Sequence, residues 1–363
     1  MKILAVDDDE SILAILKEAL TVSDGRHVAT ALSGAEALEI VKNDPEPFDC
    51  FLLDIQMPEL DGIELCRILR ANPRHRTTPI IMVTAMSEKS YIDHAFTVGA
   101  TDYVTKPLDF LELETRINLA RNHRVQTAES AAALVMANAA NAAKRSAPGA
   151  VPLGEPFEVT GVSRAIGYIA FENYILQLTK SYLFFSSVYA IKIAGIEEIH
   201  SQCSGDEFQT LISRSTRMIS DCTVEAGNLL SYRGNGVFLC IRHNNSKPSQ
   251  SELSELLQDQ IEAEGKRNDA PTYLREMTFL VGEPVSLGLL SRAATLNSLR
   301  KAVDKVETRT VVTVPSPQEI APRQPVRRKE PTFEERKSDY EMLLRQSLRE
   351  DIRALDIRQP PGE

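Results

Sequence analysis

The chain lacks several features that would each have pointed elsewhere. None of its 363 residues belong to an apolar run approaching the roughly 20 needed to span a bilayer. The five cysteines, Cys50, Cys66, Cys203, Cys222 and Cys240, are widely spaced, odd in number and form no CxxC pair. That excludes a disulfide framework or thiolate metal site as the organising principle and fits reduced thiols in a cytosolic protein. There is no basic excess: the formal net charge is −10, which argues against a polyanion as main partner. No helix-turn-helix followed by a basic recognition helix is found either. The stretch Met1–Val6 is too short and too quickly acidic for a signal peptide. We expect a cytoplasmic protein with no membrane partner, nucleic acid being disfavoured.

What is present is ordinary for a globular chain, with 43% hydrophobic and 25% charged residues. At roughly 100–200 residues per domain, the length suggests two or three domains. Residues 2–121 alternate strand and helix signals. Apolar runs at Ile3–Val6, Cys50–Leu53, Ile80–Val83 and Asp102–Val104 are separated by amphipathic stretches. This pattern predicts a doubly wound α/β domain with a parallel sheet, helices on both faces and a ligand site at the carboxyl ends of the strands.

From Leu108 to Ala147 there is neither Gly nor Pro, and the second half is rich in alanine, the best helix former. Two readings stay open: one continuous helix of about 60 Å, or a helix ending near His123 followed by a loose linker. Pro148–Pro156 breaks the pattern, with three Pro and two Gly. The predicted organisation is a domain at 1–121, a helical connector and linker at 122–156, and an α+β domain with a mixed sheet at 157–310. A Pro/Arg-rich linker at 311–331 and a C-terminal helix and tail at 332–363 follow. The helical period there, with Tyr340, Leu343, Leu344, Leu348, Ile352 and Leu355, suits a partner-binding helix, one docked on its own protein, or one that stays frayed.

The chemistry begins at the strand ends. Asp7 and Asp8 follow the first strand and Asp54 follows the third, so in a parallel sheet the three carboxylates converge. Clustered like charges are costly unless a cation sits among them, and hard oxygen ligands suit Mg²⁺. A cation there also offsets the charge of a phosphoryl group attacked in line by Asp54. Thr84 ends the Ile80–Val83 run and can donate its hydroxyl to a phosphoryl oxygen. Lys106, after the Asp102–Thr105 run, can pair with the phosphate. Its bond to Pro107 is a candidate cis peptide. Asp9 reads as an exposed loop acid.

Four segments make the pattern specific: Asp7-Asp8; Leu53-Asp54-Ile55-Gln56-Met57-Pro58 with Asp61-Gly62; Val83-Thr84-Ala85; and Gly99–Pro107. Thr84, Tyr103 and Lys106 lie 30, 49 and 52 residues beyond Asp54. Together they resemble bacterial response-regulator receivers across residues 1–121, and the resemblance implies a five-stranded parallel, flavodoxin-like fold. The resemblance implies that Asp54 is the aspartyl-phosphate site. It implies that Asp8, Asp54 and the Gln56 carbonyl bind Mg²⁺, with Asp7 acting through water. It makes Thr84 and Tyr103 a switch pair, the hydroxyl moving toward the phosphoryl group and the ring following inward; a static, half-buried Tyr103 is the alternative. It assigns Lys106 to the phosphate, and it implies a histidine kinase or phosphotransfer protein as partner.

Residues 157–310 resemble, in damaged form, the GGDEF family of cyclic-di-GMP synthases. Val159–Arg164 is similar to that family's opening LTGLxNR, and Ala190–Ala194 to its first catalytic strand. Tyr232–Phe238 stands where the family has RYGGDEF, Leu280–Gly282 resembles a late strand and Ala302-Val303 a late helix. The literal string Gly205-Asp206-Glu207-Phe208 opens a helical pattern and matches an earlier family segment whose Asp helps hold guanine. Two-metal chemistry on GTP needs carboxylates. The positions that would supply them are Lys192, Ala194, Gly236 and Val237, and the inhibitory RxxD is Glu225-Ala226-Gly227-Asn228. The expectation is a homodimeric, non-enzymatic regulator that signals to an unidentified downstream protein. The alternative is a receiver-gated nucleotide-binding or cyclic-di-GMP-related enzyme.

Overall fold

The computed structural model describes residues 1–21, 25–121, 151–178, 186–223, 228–243, 248–265, 277–287 and 292–309. The Ala-rich connector before 151, the Pro/Arg-rich linker and the C-terminal helix lie outside the described residues.

The first domain runs β1 (Lys2–Val6), α1 (Glu10–Thr21), β2 (His27–Ala31), α2 (Gly34–Asn43), β3 (Cys50–Leu53), α3 (Gly62–Ala71), β4 (Ile80–Thr84), α4 (Lys89–Thr97), β5 (Asp102–Thr105) and α5 (110–121). Its five strands are parallel, in the order β2-β1-β3-β4-β5. This is the flavodoxin-like doubly wound fold expected from the alternating pattern. Every residue of β3 and β4 is buried, because helices cover both faces.

Alternation along each strand divides the core in two. Ile3, Ala5, Leu52, Ile81 and Val83 face Leu13, Leu16, Leu113 and Ile117 of α1 and α5. Leu4, Val6, Phe51, Leu53 and Met82 face Ala37, Val41, Ile63, Leu65, Ile92 and Phe96 of α2, α3 and α4. Each fully buried Leu, Ile or Phe contributes about 1.5–3 kcal/mol relative to exposure.

The second domain follows with α6 (Tyr168–Gln177), β6 (Ser186–Ile193), α7 (Ile196–Gln202), α8 (Gly205–Cys222), β7 (Leu230–Gly234) and β8 (Val237–His243). It closes with α9 (Gln250–Gly265), β9 (Phe279–Val281), β10 (Val285–Ser286) and α10 (Arg292–Glu307). β6 is central: β8 lies on one side, and β9 and β10 share the other. The order β9/β10-β6-β8-β7 is that of a split βαββαβ unit. All strand ladders in this sheet are antiparallel, so the parallel component of the expected mixed sheet is confined to one bridge, Ala165–Leu230. The physical cause is the β7–β8 hairpin, which reverses the chain between the two helical connections.

Two local features follow directly from residue type. At the hairpin tip Asn235 (φ 53°) and Gly236 (φ 69°) both take the left-handed conformation that a two-residue primed turn requires. Ser204 begins α8 with a reciprocal capping box: its Oγ accepts from Glu207 N at 3.3 Å, and Glu207 Oε2 accepts from Ser204 N at 2.8 Å. The GDEF string is therefore the first turn of a helix. The domain also starts earlier than 157. Leu153 O accepts from Asn235 N at 2.7 Å, and Val151, Leu153 and Phe157 pack on the second core.

Candidate functional site

Parallel register brings the strand ends to one edge. Val6 pairs with Leu53, Leu53 with Met82, and Thr84 with Thr105. The residues that follow, Asp7, Asp8, Asp54 and Lys106, therefore share a pocket with Thr84. Asp7 and Asp54 are buried, at 2% and 6% exposure, while Asp8 and the Gln56 side chain are exposed. Oxygens of Asp7, Asp8 and Asp54 all lie within 4.8 Å of one another, and no other such group of potential metal ligands occurs among the described residues.

Lys106 reaches into this cluster. Its Nζ donates to Asp7 Oδ2 at 2.6 Å and to Asp54 Oδ2 at 2.9 Å. The remaining oxygens of these two acids accept backbone hydrogen bonds: Asp7 Oδ1 from Asp9 N at 3.0 Å, and Asp54 Oδ1 from Gln56 N at 3.3 Å. Burial raises the Asp7 carboxyl above its ordinary value, and the Lys106 hydrogen bond offsets only part of that. Burial pulls the Lys106 ammonium down, but the hydrogen bonds to Asp54 and Asp7 outweigh it and hold the group above ordinary lysine. Three carboxylates against one ammonium leave two negative charges uncompensated. A hard divalent cation with oxygen ligands matches that donor set and charge. The Lys106-Pro107 peptide is cis.

The loop after β4 is held from two sides. Met86 N donates to Thr84 Oγ1 at 3.4 Å, and the Tyr103 hydroxyl donates to Met86 O at 2.6 Å. Tyr103 is completely buried, so its ring lies inward and is not the half-buried aromatic of the alternative reading. Burial first, then the Asp54 charge, raises its phenol pKa, so it stays a donor.

Gly62 carries a constraint that spacing alone does not show. A Cβ there would stand 1.9 Å from Asp54 O. The first turn of α3 packs onto the backbone of Asp54, with Asp61 capping it by accepting from Glu64 N at 2.8 Å. The Asp61-Gly62 motif marks the position, but no local rule predicts the approach.

Residues 3–118 match the family model for the response regulator receiver domain. The N-terminal domain is a response regulator receiver. The alkaline phosphatase synthesis transcriptional regulatory protein PhoP of Bacillus subtilis is 42% identical over 116 residues, 32% of this chain and 46% of that protein. Response regulator MprA of Mycobacterium leprae is 40% identical over 134 residues, 36% of this chain and 57% of that one. The chain spans about half the length of these curated relatives. A solved receiver domain protein from Clostridium thermocellum is 30% identical and covers 35% of this chain and 98% of that one, with a TM-score of 0.33.

Outside the receiver, Lys192, Ala194, Gly236 and Val237 do come together. Lys192 pairs with Val237 across β6 and β8, Ile193 N donates to Gly236 O at 3.0 Å, and Ala194 follows on the same strand end. Lys192 Nζ lies 3.7 Å from the largely exposed Glu197. Gly236 faces Ile196, which a Cβ would meet at 2.8 Å. No helix among the described residues is long and apolar enough to cross a membrane.

Proposed function

We propose that Asp54 accepts a phosphoryl group from a histidine kinase or phosphotransfer protein, and that the chain is a two-component response regulator. An Asp54 oxygen attacks phosphorus in line, an O–P bond forms, the P–N bond of the donor phosphohistidine breaks, and the imidazole leaves with the electron pair. Asp7, Asp8, Asp54 and the Gln56 carbonyl would hold Mg²⁺ beside the reacting group, where the ion would offset the charge of the phosphoryl oxygens. Thr84 donates to one phosphoryl oxygen. Lys106, already 2.9 Å from Asp54, pairs with another. The observation that carries this reading is the buried Asp54 bonded to Lys106 within an acidic cluster at the carboxyl edge. Incubation of the full chain with acetyl phosphate and Mg²⁺, followed by intact-mass measurement, tests it. Wild type should gain one phosphoryl group and Asp54→Asn none; labelling of Asp54→Asn would remove the assignment.

The second domain, in this reading, is a cyclase-like module without cyclase chemistry, and the signal leaves through a protein surface or a homodimer. Its split βαββαβ strand order and Gly234–Gly236 hairpin support the likeness. Lys192, Ala194, Gly236 and Val237, in place of carboxylates, support the loss of activity, because none can hold Mg²⁺. Purified protein should release no cyclic-di-GMP from GTP, and detection of that product would overturn the reading. A shallow surface cavity of 440 Å³ along α8, lined by Asp206, Gln209, Thr210, Ser213, Arg214 and Arg217, gives a second reading a location: nucleotide binding without turnover. Calorimetric titration with GTP separates the two.

A further inference from the structure

The second domain is not free of the receiver. Its first helix, α6, lies across α4 and β5. Tyr174 is completely buried in this contact, with its ring edge-on to Phe96 of α4 at 5.5 Å between centroids. Its hydroxyl donates to Asp93 Oδ1 at 2.8 Å and lies 3.2 Å from His243 Nε2 of β8. Asp93 is also ion-paired with Lys89, the first residue of α4. One residue earlier on α6, Asn173 Nδ2 donates to Thr101 O at 3.0 Å, directly before β5. Thr101 N in turn donates to Ile80 O at 2.7 Å, so this tie is anchored in the sheet. The α2–α4 half of the receiver core and the layer of the second domain formed by α6 and α10 make one continuous apolar cluster.

The same two receiver elements are tied from inside. The Met86 peptide, three residues before α4, is bonded to Thr84 through its N–H and to Tyr103 of β5 through its carbonyl. A phosphoryl group on Asp54 that engages the Thr84 hydroxyl tightens this inner tie. The Thr84 oxygen can still accept from Met86 N while its O–H donates a hydrogen bond to a phosphoryl oxygen. The inner tie holds the start of α4 to β5, and the outer clamp holds α4 to β5 through Tyr174 and Asn173. Each lowers the cost of forming the other, and thermodynamic reciprocity makes that coupling run both ways.

We propose that α6 of the second domain is an intramolecular effector of the receiver: its docking through Tyr174 and Asn173 strengthens the phosphorylated state, and phosphorylation strengthens the docking. The inference rests on Asp54 as phosphoacceptor, and its test keeps the two separable. The full-length chain is titrated with beryllofluoride, a non-covalent phosphoryl analogue, in the presence of Mg²⁺. Wild type is compared with Tyr174→Phe, Asn173→Ala and the double variant, each first checked for an intact melting transition. The double variant should bind about 5–150-fold more weakly, the usual range for such coupling, and each single variant by less. In wild type, beryllofluoride should slow amide exchange in α6, and this protection should vanish in the double variant. Equal or tighter binding by folded variants, or α6 exchange in wild type that beryllofluoride leaves unchanged or accelerates, overturns the clamp while leaving Asp54 in place. Failure of wild type to bind beryllofluoride removes the phosphoacceptor reading and the clamp with it.

Discussion

Each domain places a lysine at the end of a strand, Lys106 after the edge strand β5 and Lys192 near the end of the central strand β6, and the two lysines have different partners. Their side chains are equally buried, at 19% and 18% exposure, but Lys106 lies within 2.9 Å of two buried carboxylates. Lys192 sits 3.7 Å from a glutamate that is 64% exposed, with Val237 across the strand pair. The backbone geometry is favourable in both places: strand ends converge and a tight turn stands close. Only the receiver supplies acids. Chemistry at a strand end therefore depends on the second and third carboxylates more than on the fold. A lysine whose nearest acid is one exposed glutamate packs its stem on the sheet and gathers no charge cluster, whereas one shared by two buried acids compensates a charge cluster that invites a metal.

Breaking the receiver side should have the largest effect at Gly62. Alanine there drives a Cβ to 1.9 Å from the Asp54 carbonyl oxygen, so α3 or the Asp54 backbone must move. We expect a stability loss of about 3 kcal/mol together with loss of acetyl phosphate labelling, read by thermal melting and intact mass. Labelling at the wild-type rate would show that the close approach can relax harmlessly.

Lys106→Met comes next. It strands Asp7 and Asp54 together without their counter-charge, at a cost of about 2 kcal/mol at neutral pH. The sign with pH is fixed. Lys106 has its pKa raised above 10.5 by its two partners, against burial. Its stabilisation is therefore fully present below 10.5 and is lost as pH climbs through the raised folded value. The gap between wild type and variant in chemical melts should persist through neutral pH and close only in strong alkali.

Asp7→Asn should act in the opposite direction, and more weakly. Burial holds the Asp7 carboxyl above its ordinary 3.8, so the folded state binds that proton more tightly than the unfolded chain does. Stability contributed by this group falls as pH rises from 3.8 through the folded value and stays lower at neutral pH. The asparagine variant should melt slightly higher than wild type at pH 7, lose that advantage below the folded value, and bind Mg²⁺ more weakly. A lower melting temperature at pH 7 would mean that the Lys106 pairing outweighs burial. Smallest of all, Lys192→Met should change stability by less than about 0.5 kcal/mol. A large loss there would erase the contrast between the two lysines.

Much of the receiver was legible before any coordinates. Asp7, Asp8, Asp54, Thr84 and Lys106 each follow or end an apolar run, and strand ends are where a parallel sheet places its ligands. The hairpin turn at Asn235-Gly236 uses the residue types that tolerate the left-handed conformation, as a two-residue primed turn requires. The helix opening at Gly205-Asp206-Glu207-Phe208 was legible from its helical pattern, and the Ser204–Glu207 capping box is what the structure adds. The all-antiparallel ladders were not legible, because pairing partners are set by which strands meet across the core. Nor was the start of the second domain near Val151, because proline and glycine in 148–156 read as a break although part of the segment packs.

Local sequence determined which residues stand at the strand ends and which carry charge, since apolar runs and turn residues act over a few positions. Tertiary structure alone decided how Lys106 is shared. It buried Asp7 and Asp54 while leaving Asp8 exposed, and it brought Lys106, 99 residues beyond Asp7 and 52 beyond Asp54, to join those two. It decided that Gly62 must stay without a side chain, and that Tyr174 should close on Asp93, 81 residues earlier. Such contacts depend on how separately formed elements pack, and no pattern within either element encodes its distant partner.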